Sequence, residues 1–203
     1  MKIIIIGFIL LVGCSFSGNK PASLALYDLG LKPAAKTQIT PINVSITMAE
    51  ITAPVWLASP AMQYRLAYHD PARTYHYAHS RWVTSPAKLL TRRIQDELVQ
   101  HVRKGVVSSY EGLKSDYALH IELEEFTQVF DQPQSSRAMI HLRANLVDRA
   151  TRQLLSQQKF SAEQATTTAD AAGAVTALIQ LSDQISGEIM QWLFSQLGAP
   201  VRH

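Results

Sequence analysis

The chain has one cysteine, Cys14, among 203 residues. A lone cysteine excludes an intramolecular disulfide, a cysteine-based zinc site and a Cys-X-X-Cys redox pair. Long apolar runs are also missing. The one continuous stretch, Ile3–Val12, has about ten residues, whereas a helix needs roughly 20 to cross a bilayer. Glycine is scarce, nine in all and never clustered, so there is no Gly-rich phosphate loop and no Gly-X-Ser-X-Gly nucleophile turn. Charged residues make up 17% and apolar ones 47%, which excludes a disordered chain. The net charge of +3 is too small to argue for nucleic acid.

What is present begins with a secretory pattern. Lys2 precedes the apolar stretch, and Leu11-Val12-Gly13 leads directly into Cys14. A branched apolar residue and a small residue before cysteine resemble a bacterial lipobox. That resemblance implies cleavage before Cys14 and acylation of its thiol and new amino terminus. Each buried methylene contributes roughly 0.8 kcal/mol, so several chains hold firmly. Residue 15 is Ser and not Asp, which implies the outer membrane, facing the periplasm. The expected organisation is a signal peptide at 1–13, a lipidated tether at 14–25 and one domain at 26–203.

The charge is uneven. Residues 65–110 hold eight Lys/Arg against Asp70, Asp96 and Glu97, while residues 111–203 are net acidic. The central third is thus a candidate for contact with anionic headgroups or an acidic partner.

Periodicity outlines the domain. Tyr27–Leu31 is a short strand candidate, and Ile42–Met48 alternates as a half-buried strand. Gln63–Tyr68 and Thr74–His79 flank the turn His69-Asp70-Pro71-Ala72 and read as a hairpin. Ser85-Pro86 starts a helix whose apolar stripe is Leu90, Ile94, Leu98 and Val102. Arg92, Arg93, Asp96 and Glu97 fall off that stripe, and Gly105 is placed to end it. Long alternating strands follow at 116–130, 139–147 and 154–162, with turns at 131–134 and 148–151. A last amphipathic helix of some seven turns spans about 170–197 and stops at Gly198-Ala199-Pro200. The expected fold is one α+β domain, an α/β sandwich, with a mainly antiparallel sheet and two main helices on one face.

Candidate chemistry is thin. His69, His76 and His79 lie close in sequence but bring no second ligand set, so no metal site is expected. Glu122 and Glu124 share a strand face, a pattern that exposed polar faces also give. No catalytic site and no cofactor are expected. Residues 56–82 differ. Trp56, Tyr64, Tyr68, Tyr75, Tyr77 and Trp82 interleave there with Arg65, Arg73 and Arg81, the composition of protein interfaces and equally of a core-covering hairpin.

Five blocks then stand out in order: Tyr27-Asp28-Leu29-Gly30, Ala53–Arg65 (APVWLASPAMQYR), Ser80–Leu90 (SRWVTSPAKLL), Leu146-Val147-Asp148-Arg149 and Asp170–Ala174. Together they resemble the ABC-type transport auxiliary lipoproteins, the PqiC-like family. The resemblance implies a non-catalytic outer-membrane lipoprotein of an MCE transport system. Its implied partners are an MCE-domain protein, the ABC transporter and inner-membrane subunits, and outer-membrane lipid through the anchor, with a homo-oligomeric ring as in some relatives and no nucleic acid. It carries no catalytic residues across. Trp56, Leu57, Pro60, Met62, Tyr64, Arg65, Arg81, Trp82 and Pro86 become docking or structural candidates, and Cys14 the lipidation site. Two other readings remain open: a periplasmic lipid carrier with an acyl cavity under the long helix, and a hydrolase built on the histidines and strand carboxylates.

Overall fold

Alternation decides the longest elements first. Where every second residue is apolar, a strand buries one face and leaves the other polar. The computed structural model describes residues 23–31 and 41–198, so the signal, Cys14 and most of the tether lie outside the described residues. Its elements in chain order are β1 (Ala25–Tyr27), β2 (Ile46–Met48), a 3₁₀ turn (Val55–Leu57), β3 (Ala61–Leu66), β4 (Asp70–Trp82), α1 (Pro86–His101), β5 (Val106–Ser108), a second 3₁₀ turn (Ser109–Glu111), β6 (Tyr117–Gln132), β7 (Ser135–Asp148), β8 (Leu154–Ala165) and α2 (Ala171–Leu197). This is one α+β domain, as expected.

β6, β7 and β8 form an antiparallel meander. Leu119, Ile121, Leu123 and Phe126 of β6 and Ala138, Ile140, Leu142, Ala144 and Leu146 of β7 enter one core. There they meet Leu178, Leu181, Ile185 and Ile189 of α2 and Leu90, Ile94 and Leu98 of α1. Each leucine, isoleucine or phenylalanine among them, removed from water, contributes roughly 1.5–3 kcal/mol.

The other edge of β6 carries three separate pieces in parallel: β2 along Tyr117–Leu119, a single bridge from Thr52 to Glu122, and β3 along Gln128–Phe130. β4 then pairs antiparallel with β3, β1 lies parallel on β4, and β5 lies parallel outside β2. The sheet is therefore mixed and not mainly antiparallel. The long strands do run antiparallel, but the parallel joins link segments distant in sequence, which periodicity cannot reveal.

Local expectations shift for identifiable reasons. The strand foreseen at 42–48 shortens to β2, with Ile42 forming only a bridge to Val102. That bridge also ends α1 early. Ile42 N–H donates to the His101 carbonyl at 2.9 Å, and Val102 turns extended before Gly105 is reached. The strand foreseen at 27–31 lies earlier, because Gly30 adopts φ +65° and Asp28 Oδ1 accepts its N–H at 2.7 Å, closing a turn. Arg93 and Glu97 are buried, not off the stripe. α1 is wrapped on more than one side, and Arg93 donates to the Leu29 carbonyl while its Nε stands 3.3 Å from Asp183 of α2.

Candidate functional site

Ala53–Arg65 builds a fixed turn that leads into β3, which pairs with β4 on one side and β6 on the other. After Pro54 the 3₁₀ turn buries Leu57 in the core, while Val55 and Trp56 stay outside, 88% and 56% exposed. The Gln63 side chain donates to the Trp56 carbonyl, and the Trp82 N–H donates to the Pro60 carbonyl at 2.9 Å. Met62 is buried, and Trp82 packs edge-on to Phe126 at 5.4 Å. Ser85 caps α1 and Pro86 opens it, both buried. Arg65 pairs with Glu125 at 3.1 Å.

The motif residues thus divide by environment. Leu57, Met62, Trp82 and Pro86 belong to the interior; Tyr64 and Arg65 are half-buried and partnered; Trp56, Pro60 and Arg81 face outward.

Tyr64 centres a ring cluster. It stacks on Tyr75 at 5.3 Å, meets Tyr77 at 4.8 Å and receives Phe130 edge-on at 5.6 Å. The Tyr77 hydroxyl donates to Gln128 Oε1 at 2.7 Å, and Gln128 Nε2 donates to Ser136 at 2.8 Å. Burial first, then Tyr64 and Asp170, push the Tyr77 hydroxyl well above its ordinary pKa. Arg73 lies 4.8 Å over the Tyr75 ring, and Tyr68 stands exposed at the hairpin end. The hairpin aromatics thus divide by environment: Tyr64 and Tyr77 are half-buried, whereas Tyr68 is exposed. The amides Gln63 and Gln128, which hold this region together, gave no sequence signal beyond being polar residues between apolar neighbours.

The sheet face away from the helices carries ion pairs. Arg143 reaches Glu122 and lies 3.9 Å from Glu124; Arg137 reaches Asp131 and Glu163. The paired carboxylates are thus engaged by Arg143, an arrangement suited to cross-strand pairing. His69, His76 and His79 are exposed on the hairpin, and among the described residues no group of His, Cys, Asp or Glu could hold a metal ion. Among them too, no helix is long and apolar enough to cross a membrane.

The profile of the ABC-type transport auxiliary lipoprotein component family matches residues 27–190. The chain belongs to that family, as its motifs suggested, and the family is one of transport auxiliaries, not of enzymes. Protein XCC0632 from Xanthomonas campestris, placed in the DUF330 family, superposes with a TM-score of 0.73 at 18% identity, covering 85% of this chain and 96% of that one. An uncharacterized protein gives 0.65 at 17%, with coverages of 84% and 99%. The hypothetical protein CT253 from Chlamydia trachomatis gives 0.50 at 9%, with coverages of 76% and 98%. At these identities the likeness is one of fold. No curated protein matches the chain.

Proposed function

We propose that this protein is a lipoprotein acylated at Cys14, the outer-membrane subunit of an MCE-type ABC transport system. In this reading it faces the periplasm and docks the periplasm-spanning MCE component for phospholipid trafficking. The observation that carries the docking role is Trp56. An indole more than half exposed on a turn fixed by Gln63 and anchored by buried Leu57 is a rigid apolar knob. Side chains of this kind, presented without ordering cost, form the anchors of protein interfaces. Exposed Tyr68 and the Arg73–Tyr75 pair extend the same chemistry along the hairpin.

The carrier reading has less support. The apolar face of α2 lies against β7 and β8, with Leu181, Ile185 and Ile189 at most 1% exposed, so that face already serves the protein's own core.

The test is affinity purification from gently solubilised envelope. The acylated protein should recover an MCE-domain protein and transporter subunits. Trp56→Ala should lose them, by at least about 30-fold if Trp56 is a hot spot of about 2 kcal/mol, with an unchanged melting temperature. Recovery of no MCE or transporter subunit by the acylated wild type would end this proposal.

A further inference from the structure

We propose that the rim made by β1, the Asp28–Leu31 turn and the start of α1 rests on the phospholipid surface to which the chain is tied. This inference depends on acylation at Cys14 and not on the identity of any protein partner.

Four apolar side chains stand out along this rim. Leu24, Leu26, Leu31 and Val83 are 48%, 61%, 100% and 54% exposed. Cations accompany them on both sides of β1. On one face the β1–β4 register sets Leu26 beside Arg81, which points outward. On the other, Leu31 and Val83 line an open groove of about 520 Å³ with Lys88 and Arg92 of α1. Arg93 borders the same groove but is committed to the Leu29 carbonyl and Asp183. The carboxylates present are Asp28, whose Oδ1 already accepts the Gly30 N–H, Asp96, and Glu50, which stands 3.9 Å from Lys88. Lys88 is shared with Glu50, so Arg81 and Arg92 are the cations of this rim that no carboxylate engages among the described residues. Exposed leucines bordered by lysine and arginine match the headgroup boundary, where apolar side chains enter the acyl region and cations meet phosphates.

The course of the chain selects the occupant. Ser23, the first described residue, comes nine residues after Cys14, and nine residues span at most about 32 Å. The rim begins with the next residue, Leu24. An anchor at Cys14 thus delivers this edge to the lipid before any other part of the domain. The β7–β8 turn lies across the sheet, beyond β4, β3 and β6.

The proposal is tested with full-length protein purified from membranes, whose acylated Cys14 leaves only an introduced thiol to react. Leu26→Cys, Leu31→Cys and, as reference, Ala150→Cys are labelled with an environment-sensitive fluorophore. They are reconstituted into vesicles of phosphatidylethanolamine and phosphatidylglycerol containing acyl-chain spin-labelled lipid. Quenching at 26 and 31 should exceed that at 150 several-fold. Charge reversal by Arg81→Glu, Lys88→Glu and Arg92→Glu should bring it down to the reference. Leu31 is fully exposed, so its variant reports even if Leu26→Cys fails to fold. Equal quenching at all three positions, or a label shift at 26 and 31 that needs an added MCE-domain protein, overturns the rim assignment alone. An intact mass showing unmodified Cys14 overturns the anchor, and the rim assignment with it.

Discussion

Tyr77 carries its hydroxyl into a layer where every polar atom must find a partner. Its acceptor, Gln128, is fully buried and passes a hydrogen bond on to Ser136. Tyr77→Phe leaves the Gln128 carbonyl without that donor and should destabilise the domain by about 1–3 kcal/mol. A pH signature accompanies this loss. The folded protein holds the Tyr77 proton more tightly than the unfolded chain does, so the stabilisation is complete below the ordinary value of 10.0 and declines as pH rises above it. Urea titrations at about pH 9 and pH 11 should show a steeper loss of stability in wild type than in Tyr77→Phe. At this scale the sequence shows which residues are unusual but not what covers them. The Ala53–Arg65 block reads as a unit, yet the folded core takes in Leu57 and Met62 and leaves Trp56 outside. Arg93 likewise gave no hint of burial, because its partners Leu29 and Asp183 lie far from it in sequence.

Helices announce their ends more clearly than strands announce their neighbours. α2 starts where Asp170 accepts the Gly173 N–H at 2.9 Å and the Thr168 hydroxyl at 2.8 Å. The Gly173 N–H, then Thr168, hold the Asp170 carboxyl below its ordinary value of 3.8. Its contribution is therefore present above that value and lost as pH falls through the lower folded one. Asp170→Ala should cost about 1 kcal/mol at pH 7. Asp170→Asn should keep the cap at pH 7 and lose less stability than wild type on acidification, which thermal unfolding at about pH 7 and pH 3 would show. Gly173 reverses a common rule. Glycine to alanine in a helix normally gains about 1 kcal/mol, but here a Cβ would lie 2.1 Å from the Thr168 carbonyl oxygen. Gly173→Ala should instead lose about 1–3 kcal/mol, read from the midpoint of denaturant unfolding. The two helices and three long strands were legible because alternation and caps are local. Of the three-residue strands, β1 and β2 were legible only as displaced or overlong segments and β5 not at all, since each exists only by pairing with a partner elsewhere in the chain.

For the molecule as a whole, β6 is the seam between two kinds of structure. Toward the carboxyl end, β6, β7, β8 and α2 meet neighbours that follow at once. Toward the amino end, Ser45 meets Asp116 71 residues later and Gln63 meets Thr127 64 residues later. Contacts between near neighbours form fast and those between distant segments slowly. A chain cut after Gly112 should accordingly show no cooperative transition by circular dichroism, since β2 and β3 have lost the strand they line. If the chain is exported as proposed, this arrangement has a logistic consequence. The half that leaves the translocon first is the half that cannot settle by itself, so it stays open to proteases and stray pairing until the later half arrives. Under that proposal, biogenesis rather than the finished fold is the stage at which the chain would be most exposed to misassembly.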